Sequence, residues 1–335
     1  MIINEHVSFS SLTTFKVGST ARFVVDVSSR SDVRDSFQFA RDHNLQACIL
    51  GGGSNTLGSD TPLNRVVIRS VDYAYDVKEH PEFIAVHVGA GMEWDSFVRL
   101  ATENGWRGIE NLSSIPGTVG GAIAQNIGAY GAVLSDVLEE VDVYDVSEDV
   151  FRTFTKDQCS LGYRSSVFKK NQGRYFIVAA TFTFEKNKDL TLSYADLEQY
   201  FKDKTPTVGT VRSAVQSIRA KKFPPLAVFG TAGSFFLNPV TTFNDAERIQ
   251  AKYPKMPLFV LPEGGVKIPI AWILDHVLHA QDMRVGGAFV WPKQTLVIAT
   301  DSNATARDVA ELSEKISSRV FSEVKIKIFP EVMML

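Results

Sequence analysis

Cysteine is scarce: Cys48 and Cys159 are the only two in 335 residues, far apart and in no Cys-x-x-Cys pair. Neither has a histidine at zinc-ligand spacing, and the six histidines are scattered. No metal centre and no redox dithiol is therefore expected, and two reduced thiols suit a cytosolic chain. Long apolar runs are also missing. The longest nearly apolar stretch, Tyr175 to Phe184, is about half a membrane span and carries threonines. Met1-Ile-Ile-Asn-Glu-His6 has no basic region followed by an apolar one, which argues against a secretory signal. Nor does charge of one sign prevail: 35 basic residues face 38 acidic ones, a net charge of −3. That balance gives no basic footprint for duplex nucleic acid. The expectation is a soluble cytoplasmic protein with neither nucleic acid nor membrane as a partner.

What is present is an ordinary globular composition, 44% apolar and 22% charged, and a length that suits roughly two domains. The N-terminal third alternates strand and helix signals. Arg22 to Val27 reads as a strand, and Ser31 is expected to cap a helix with Val33, Phe37 and Ala40 on one face. Ala47 to Leu50 is a short buried strand, followed by strands at Val66 to Ile68 and Phe83 to Val88. Trp94, Phe97, Leu100 and Ala101 mark an amphipathic helix. Further strands are expected at Val141 to Val146 and Arg174 to Glu185. A helix from Thr210 ends at Lys221-Lys-Phe-Pro-Pro225, where the double proline is the best domain boundary. Beyond it come helices at 244–252 and 268–278, strands around Ala288 and Leu296 to Ile298, and a long helix carrying Val309, Leu312, Ile316 and Val320. Val324, Ile326 and Ile328 alternate with Lys325 and Lys327, as in a half-buried strand. The class is α+β or α/β.

Two glycine-rich stretches stand out. Gly51-Gly52-Gly53-Ser54-Asn55 follows a strand, and its amides can converge on an anion or simply make a tight turn. Thr56 breaks the Rossmann fingerprint, so a nicotinamide-binding domain of that kind is disfavoured. Residues 105–131 hold seven glycines. Within them Pro116-Gly117 makes a turn, and Gly120-Gly121 leaves no side chain between backbone and ligand. A glycine-lined helix face explains Gly120 to Ala124 but not the whole run, so ligand binding is the better reading. Two such loops fit a dinucleotide better than a mononucleotide.

The remaining candidates look bland singly. Arg164, in Gly162-Tyr-Arg-Ser-Ser-Val-Phe168, can fork onto a carboxylate but also reads as an exposed loop arginine. Ser234 lacks the Gly-x-Ser-x-Gly setting of an acylating nucleophile. It reads either as a backbone-bonded serine or as a relay that hands a proton to a basic carbanion. Arg219, Lys221 and Lys222 look like a solvated helix end, with phosphate binding as the alternative. Glu331 is a lone acid near the C-terminus.

Taken in order, Thr13 to Phe15, Leu50 to Asn55, Glu110 to Gly131, Gly162 to Lys169, Arg219 to Pro225, Gly233 to Pro239, Lys267 to Asp275 and Pro330-Glu-Val332 resemble the UDP-N-acetylenolpyruvoylglucosamine reductase family. Tyr194 to Leu197 and the segment between Asn244 and Gly265 resemble its longer subgroup. The resemblance implies an α+β chain with an FAD-binding fold of the vanillyl-alcohol-oxidase/PCMH type in two subdomains, plus a C-terminal α+β substrate domain. The implied divisions are 1–72 (completed by 322–335, its last strand returning to the first domain), 73–223 and 224–321. Non-covalent FAD is implied as cofactor, with NADPH and UDP-N-acetylglucosamine enolpyruvate as small-molecule substrates, in a monomer that serves bacterial cell-wall synthesis.

By the same resemblance the FAD is held by Gly51 to Asn55 together with Ser114, Ile115, Pro116, Gly117, Thr118, Gly120, Gly121, Ala122, Asn126, Gly128, Tyr130 and Gly131. Arg164 and a protonated Glu331 would stabilise an enolate, and Ser234 would protonate the α-carbon. Tyr194, Lys222, Asn238, Lys267 and Gln294 would grip the UDP-sugar or the nicotinamide phosphate. The chain departs from the family pattern at Leu237, Phe259, Gln281-Asp282 and Phe329, none of which removes a catalytic group. Another flavin oxidoreductase of the same fold, or a non-catalytic nucleotide-sugar binding module, are the competing readings.

Overall fold

A computed structural model describes residues 1–261 and 264–335, so two positions of the 244–265 subgroup segment lie outside the described residues. The chain forms two compact units. The first comprises Met1–Val7, Ala21–Gly53 and Leu63–Arg219, and the second comprises Ser8–Thr20, Ser54–Pro62 and Ala220–Leu335.

The first unit holds two sheets. One has four strands in the order Ile2–Ser8, Thr20–Val27, Leu63–Ser70, Ala47–Ile49. Its last three run parallel, as the intervening helix Arg30–Asp42 requires of a crossover connection. That helix buries Val33, Phe37 and Ala40 as its spacing predicts. Its cap is Ser29, however, not Ser31. Ser29 has extended backbone angles and accepts from the Asp32 amide at 3.1 Å, whereas Ser31 lies within the first turn. The other sheet is antiparallel: Val150–Thr155, Leu138–Asp145, Tyr175–Glu185, Phe83–Gly89, Tyr75–Glu79. Trp94, Phe97, Phe182 and Phe184 are fully buried between this sheet and the helix Trp94–Glu103, forming the unit's largest core.

The second unit is built on a four-stranded sheet, Gly230–Ser234, Val297–Thr300, Ala288–Val290, Arg284–Val285, against which the helix Ala306–Val324 buries Val309, Leu312, Ile316 and Val320. The N-terminal stretches of the chain complete this core through Phe15, Val17 and Leu57. They explain the Thr13 to Phe15 motif in physical terms. The Thr231 amide donates to the Thr14 carbonyl at 2.9 Å, Thr300 Oγ1 donates to the Phe15 carbonyl at 2.7 Å, and a Cβ on Gly230 would strike that same carbonyl.

The expected strand at Val324 to Ile328 is corrected. Val324 ends the long helix, and 325–328 runs on with no sheet partner among the described residues. Its alternation is nonetheless real, since Val324, Ile326 and Ile328 are buried and Lys325 and Lys327 exposed. An extended segment lying on a core needs that pattern whether or not a ladder forms beside it. The chain's end does pair with its N-terminal part, a little later: Met333–Met334 runs parallel to Thr56–Leu57.

Candidate functional site

In the first unit the two glycine stretches meet backbone to backbone. A Cβ on Gly52 would sit 2.8 Å from Gly117 Cα, and one on Gly51 would sit 3.0 Å from Thr118 Oγ1. Only glycine permits that approach. Thr118 caps the helix Val119–Gln125, its hydroxyl accepting from the Gly121 amide at 3.3 Å. Among the described residues nothing accepts from the amides of Gly51, Gly52, Gly53, Gly117 or Thr118. Five uncommitted N–H groups on adjoining loops form a donor set for an anion.

Arg164 is joined to the same segment. Its guanidinium donates to the Gly128 carbonyl at 2.6 Å, and a Cβ on Gly128 would lie 3.3 Å from that guanidinium. Arg164 itself has φ +52°, inside a tight turn in which Gly162 and Ser165 exchange main-chain hydrogen bonds. Three further bonds fasten the turn: Ser166 Oγ to the Ala124 carbonyl at 2.7 Å, Lys169 Nζ to the Arg164 carbonyl at 3.1 Å, and Asn126 Nδ2 to the Gly162 carbonyl at 3.0 Å. Half-buried Arg164 is thus not the loose surface arginine that its local sequence suggests. Asn126 spends its side chain on this bracing, since its Oδ1 also accepts from the Ser135 amide. Tyr130 stacks edge-on with Tyr194, ring centroids 5.1 Å apart.

Arg219 also departs from the solvated-helix-end reading. Its Nε donates to the Ser114 carbonyl at 3.2 Å, and burial pulls its guanidinium below the ordinary value against the opposing pull of Tyr130 and Asp95. Sequence reasoning passed over Asp95, which accepts from the Ser114 amide, and Arg212, which grips Asp95. They lie 117 residues apart, so no local pattern links them.

The second unit gathers Ser234 and Glu331. The strand Gly230–Ser234 loses register between Thr231 and Ser234. Three residues there advance against two on the partner strand, the mark of a bulge that re-aims a side chain. Gly233 supplies the bulge with φ +76°. Just beyond it, the Glu331 amide donates to the Phe235 carbonyl at 2.8 Å, and the Leu237 amide donates to the Phe329 carbonyl at 3.1 Å. On the other flank, Asn55 Nδ2 donates to the Glu331 carbonyl at 3.1 Å, and the Met333 amide donates to the Asn55 carbonyl at 3.0 Å. Ser54 and Asn55 therefore belong to the second unit, and the Asn55 side chain is turned to Glu331's main chain.

Asn238 is fixed as well. Its Oδ1 accepts from the Ile270 amide at 3.0 Å at the start of the helix Ile270–His276, which leaves its NH2 as a donor. Lys267 lies on a strand beside Phe259, its Nζ 5.5 Å from the ring centroid. Lys222 closes the helix Val208–Lys222, and Gln294 is placed by a turn to Trp291.

Two family models match the chain: an FAD binding domain over residues 21–153 and a C-terminal domain of UDP-N-acetylenolpyruvoylglucosamine reductase over 224–335. The adjoining glycine loops and the first of these matches define an FAD-binding protein. Curated relatives span its whole length. The UDP-N-acetylenolpyruvoylglucosamine reductases of Amoebophilus asiaticus (34% identical, covering 99% of each chain) and Pseudomonas aeruginosa (33%, 98% of each) are two. That of Escherichia coli is 33% identical over 95% of this chain and 93% of its own. A crystal structure of the Thermus caldophilus enzyme shares the fold, with TM-score 0.71 at 22% identity, covering 99% of each chain. The chain belongs to the UDP-N-acetylenolpyruvoylglucosamine reductase family. The residues present fit the cofactor: a cradle that a Cβ would fill and five amides without an acceptor suit a diphosphate.

Proposed function

We propose that this chain reduces the enolpyruvyl ether of UDP-N-acetylglucosamine enolpyruvate to UDP-N-acetylmuramate, an FAD-dependent step of peptidoglycan precursor synthesis with NADPH as electron donor. Beyond family membership, the observation that carries this reading is the hydrogen bond from the Glu331 amide to the Phe235 carbonyl, 2.8 Å long, which sets an acid beside the residue following Ser234. A binding module would need neither group.

In this reading Gly51 to Gly53 and the segment Ser114 to Gly131 hold the FAD, which supplies two-electron chemistry between NADPH and the unsaturated carboxylate. The chain's own residues then manage charge and proton. As the β-carbon is reduced, negative charge builds into an enolate of the substrate carboxylate. The Arg164 guanidinium stabilises that charge, with a fork that an ammonium cannot reproduce. Glu331, in its protonated form, is the other group assigned to stabilising the enolate. Ser234 passes its hydroxyl proton to the α-carbon, a task that needs a strong base as acceptor rather than a low serine pKa. Tyr194, Lys222, Asn238, Lys267 and Gln294 grip the UDP-sugar or the nicotinamide phosphate. The division into 1–72 with 322–335, 73–223 and 224–321 belongs to the same proposal, as do a cytoplasmic location and a monomeric state. Among the described residues no helix is long and apolar enough to cross a membrane.

The test is anaerobic. NADPH should bleach the flavin absorbance of the holoenzyme, and UDP-N-acetylglucosamine enolpyruvate should restore it with release of UDP-N-acetylmuramate. Purified protein that is colourless and takes up no FAD would sink the reading, and so would a reduced enzyme indifferent to the enolpyruvyl ether.

A further inference from the structure

Ser114 opens the glycine-rich segment in a conformation that L-residues avoid, with φ +58°. Glycine would take that conformation at no steric cost, whereas a serine must be held there. The structure supplies the hold from both sides of the residue. Its amide donates to Asp95 Oδ1 at 2.5 Å, and its carbonyl accepts from Arg219 Nε at 3.2 Å. Asp95 is itself gripped bidentately by Arg212, Nη1 to Oδ1 at 2.7 Å and Nη2 to Oδ2 at 2.8 Å. Arg212 is 8% exposed.

The geometry follows from the sequence. Asp95 lies in the first turn of Trp94–Glu103. Arg212 and Arg219 lie seven residues apart on Val208–Lys222, and so share a face. All these residues belong to the first unit.

We propose that Asp95, locked in place by Arg212, is a positioning residue for the cofactor: it holds Ser114 in the left-handed conformation from which the Ser114–Gly131 segment receives FAD. This rests on the flavin reading above and adds to it a group outside both glycine loops. A carboxylate forked by one arginine has a fixed orientation, so the amide it accepts from is fixed too. Without Asp95 the Ser114 backbone relaxes toward negative φ, and the loop must be re-strained each time FAD binds. The alternative is that the Asp95–Arg212 pair merely joins two helices, in which case the residue at 114 is irrelevant to its effect.

A double-mutant cycle separates the two. FAD is removed from the holoenzyme, and its rebinding is followed by quenching of flavin fluorescence. The cycle compares wild type, Asp95→Asn, Ser114→Gly and the double variant, with the melting temperature of each apo-protein measured alongside. Asp95→Asn should weaken FAD binding about tenfold in the Ser114 background, the population cost of an unsupported left-handed serine. In the Ser114→Gly background, where glycine needs no hold, the same substitution should cost about threefold or less. Equal losses in both backgrounds, or losses that track apo-protein melting whatever stands at 114, would overturn the proposal. Should Asp95→Asn not fold, Arg212→Lys, which keeps the charge but loses the fork, runs through the same cycle with the same expectations. A wild-type protein that purifies without FAD and takes none up refutes the flavin reading itself. Normal rebinding with an uncoupled cycle refutes only the role of Asp95.

Discussion

Arg164 in the first unit and the Ser234–Glu331 pair in the second are placed by different kinds of bond. Around Arg164 the fasteners are side chains: Asn126, Ser166 and Lys169 all reach out to main-chain carbonyls of the turn or of the neighbouring segment. Around Ser234 and Glu331 they are mostly amides and carbonyls, with a bulge, a bridge between Phe236 and Pro330, and the pairing of Met333–Met334 with Thr56–Leu57. Side-chain bracing can be lost by one substitution at a distance. Main-chain stitching survives substitution, and is undone by changes in backbone conformation or chain length. The first unit should therefore be the more sensitive to point mutation away from its reactive group, and the second to glycine replacement and truncation.

The largest effect is expected at Ser234 itself. Ser234→Ala leaves the strand's hydrogen bonds intact and removes only the hydroxyl. Reoxidation of the reduced holoenzyme by the enolpyruvyl substrate should slow by ~10³-fold, the usual scale for a missing general acid. Bleaching by NADPH should still proceed, and reoxidation at the wild-type rate would refute the role. Arg164→Lys comes next, with kcat/KM for the enolpyruvyl substrate expected to fall about a hundredfold. The lysine keeps the charge, but loses both the fork and the bond to Gly128. Steady-state kinetics that matched wild type would show that charge alone suffices there.

Glycine replacement probes the comparison directly at Gly52 in the first unit and Gly233 in the second, which are glycine for different reasons. Gly52 needs space: its Cβ would lie 2.8 Å from a backbone atom. Gly233 needs only its φ of +76°, since a Cβ there would meet nothing within 4 Å. Gly52→Ala should push the two loops apart and weaken FAD binding at least tenfold in a fluorescence titration. Gly233→Ala should cost about 1–2 kcal/mol of stability in denaturant unfolding, and Gly233→Asn less, since asparagine tolerates the left-handed region. Equal penalties for Ala and Asn at 233 would mean that the constraint there is steric after all.

The same distinction marks what the sequence could and could not tell. Apolar periodicity placed the helices Trp94–Glu103 and Ala306–Val324 and the long strand Tyr175–Glu185, because burial of one face dictates both the pattern and the element. The ordered motifs pointed to Arg164, Ser234 and Glu331 through resemblance, and local residues alone would have left all three bland. What stayed hidden depends on partners distant in sequence or on backbone angles. Asp95 and Arg212 are an acid and a base on unremarkable helices until the fold brings them together. Ser29 and Ser31 are equally good caps on paper, and only φ and ψ choose between them. The run 324–328 shows the converse, a true burial pattern that does not require a sheet.

The smallest expected effect is zero at neutral pH, and it tests whether the first unit carries an alkaline liability of its own. Both cysteines lie in that unit. Burial pushes the Cys159 thiol up to about 12 from an ordinary 9.0, and raises Cys48 as well. In the unfolded chain the thiol of Cys159 loses its proton near pH 9, while in the folded chain it keeps it to about 12. Between those values the native state binds more protons than the unfolded state, so stability falls as pH rises. Below pH 9 the contribution is complete and constant. Denaturant midpoints measured across the alkaline range should thus decline above pH 9, and Cys159→Ala should flatten part of that decline. The cavity left by the lost sulfur lowers the variant's stability at every pH, so the slope is the quantity to compare, not the midpoint. An unchanged slope would mean that the Cys159 thiol ionises alike in both states and that its burial has no electrostatic consequence.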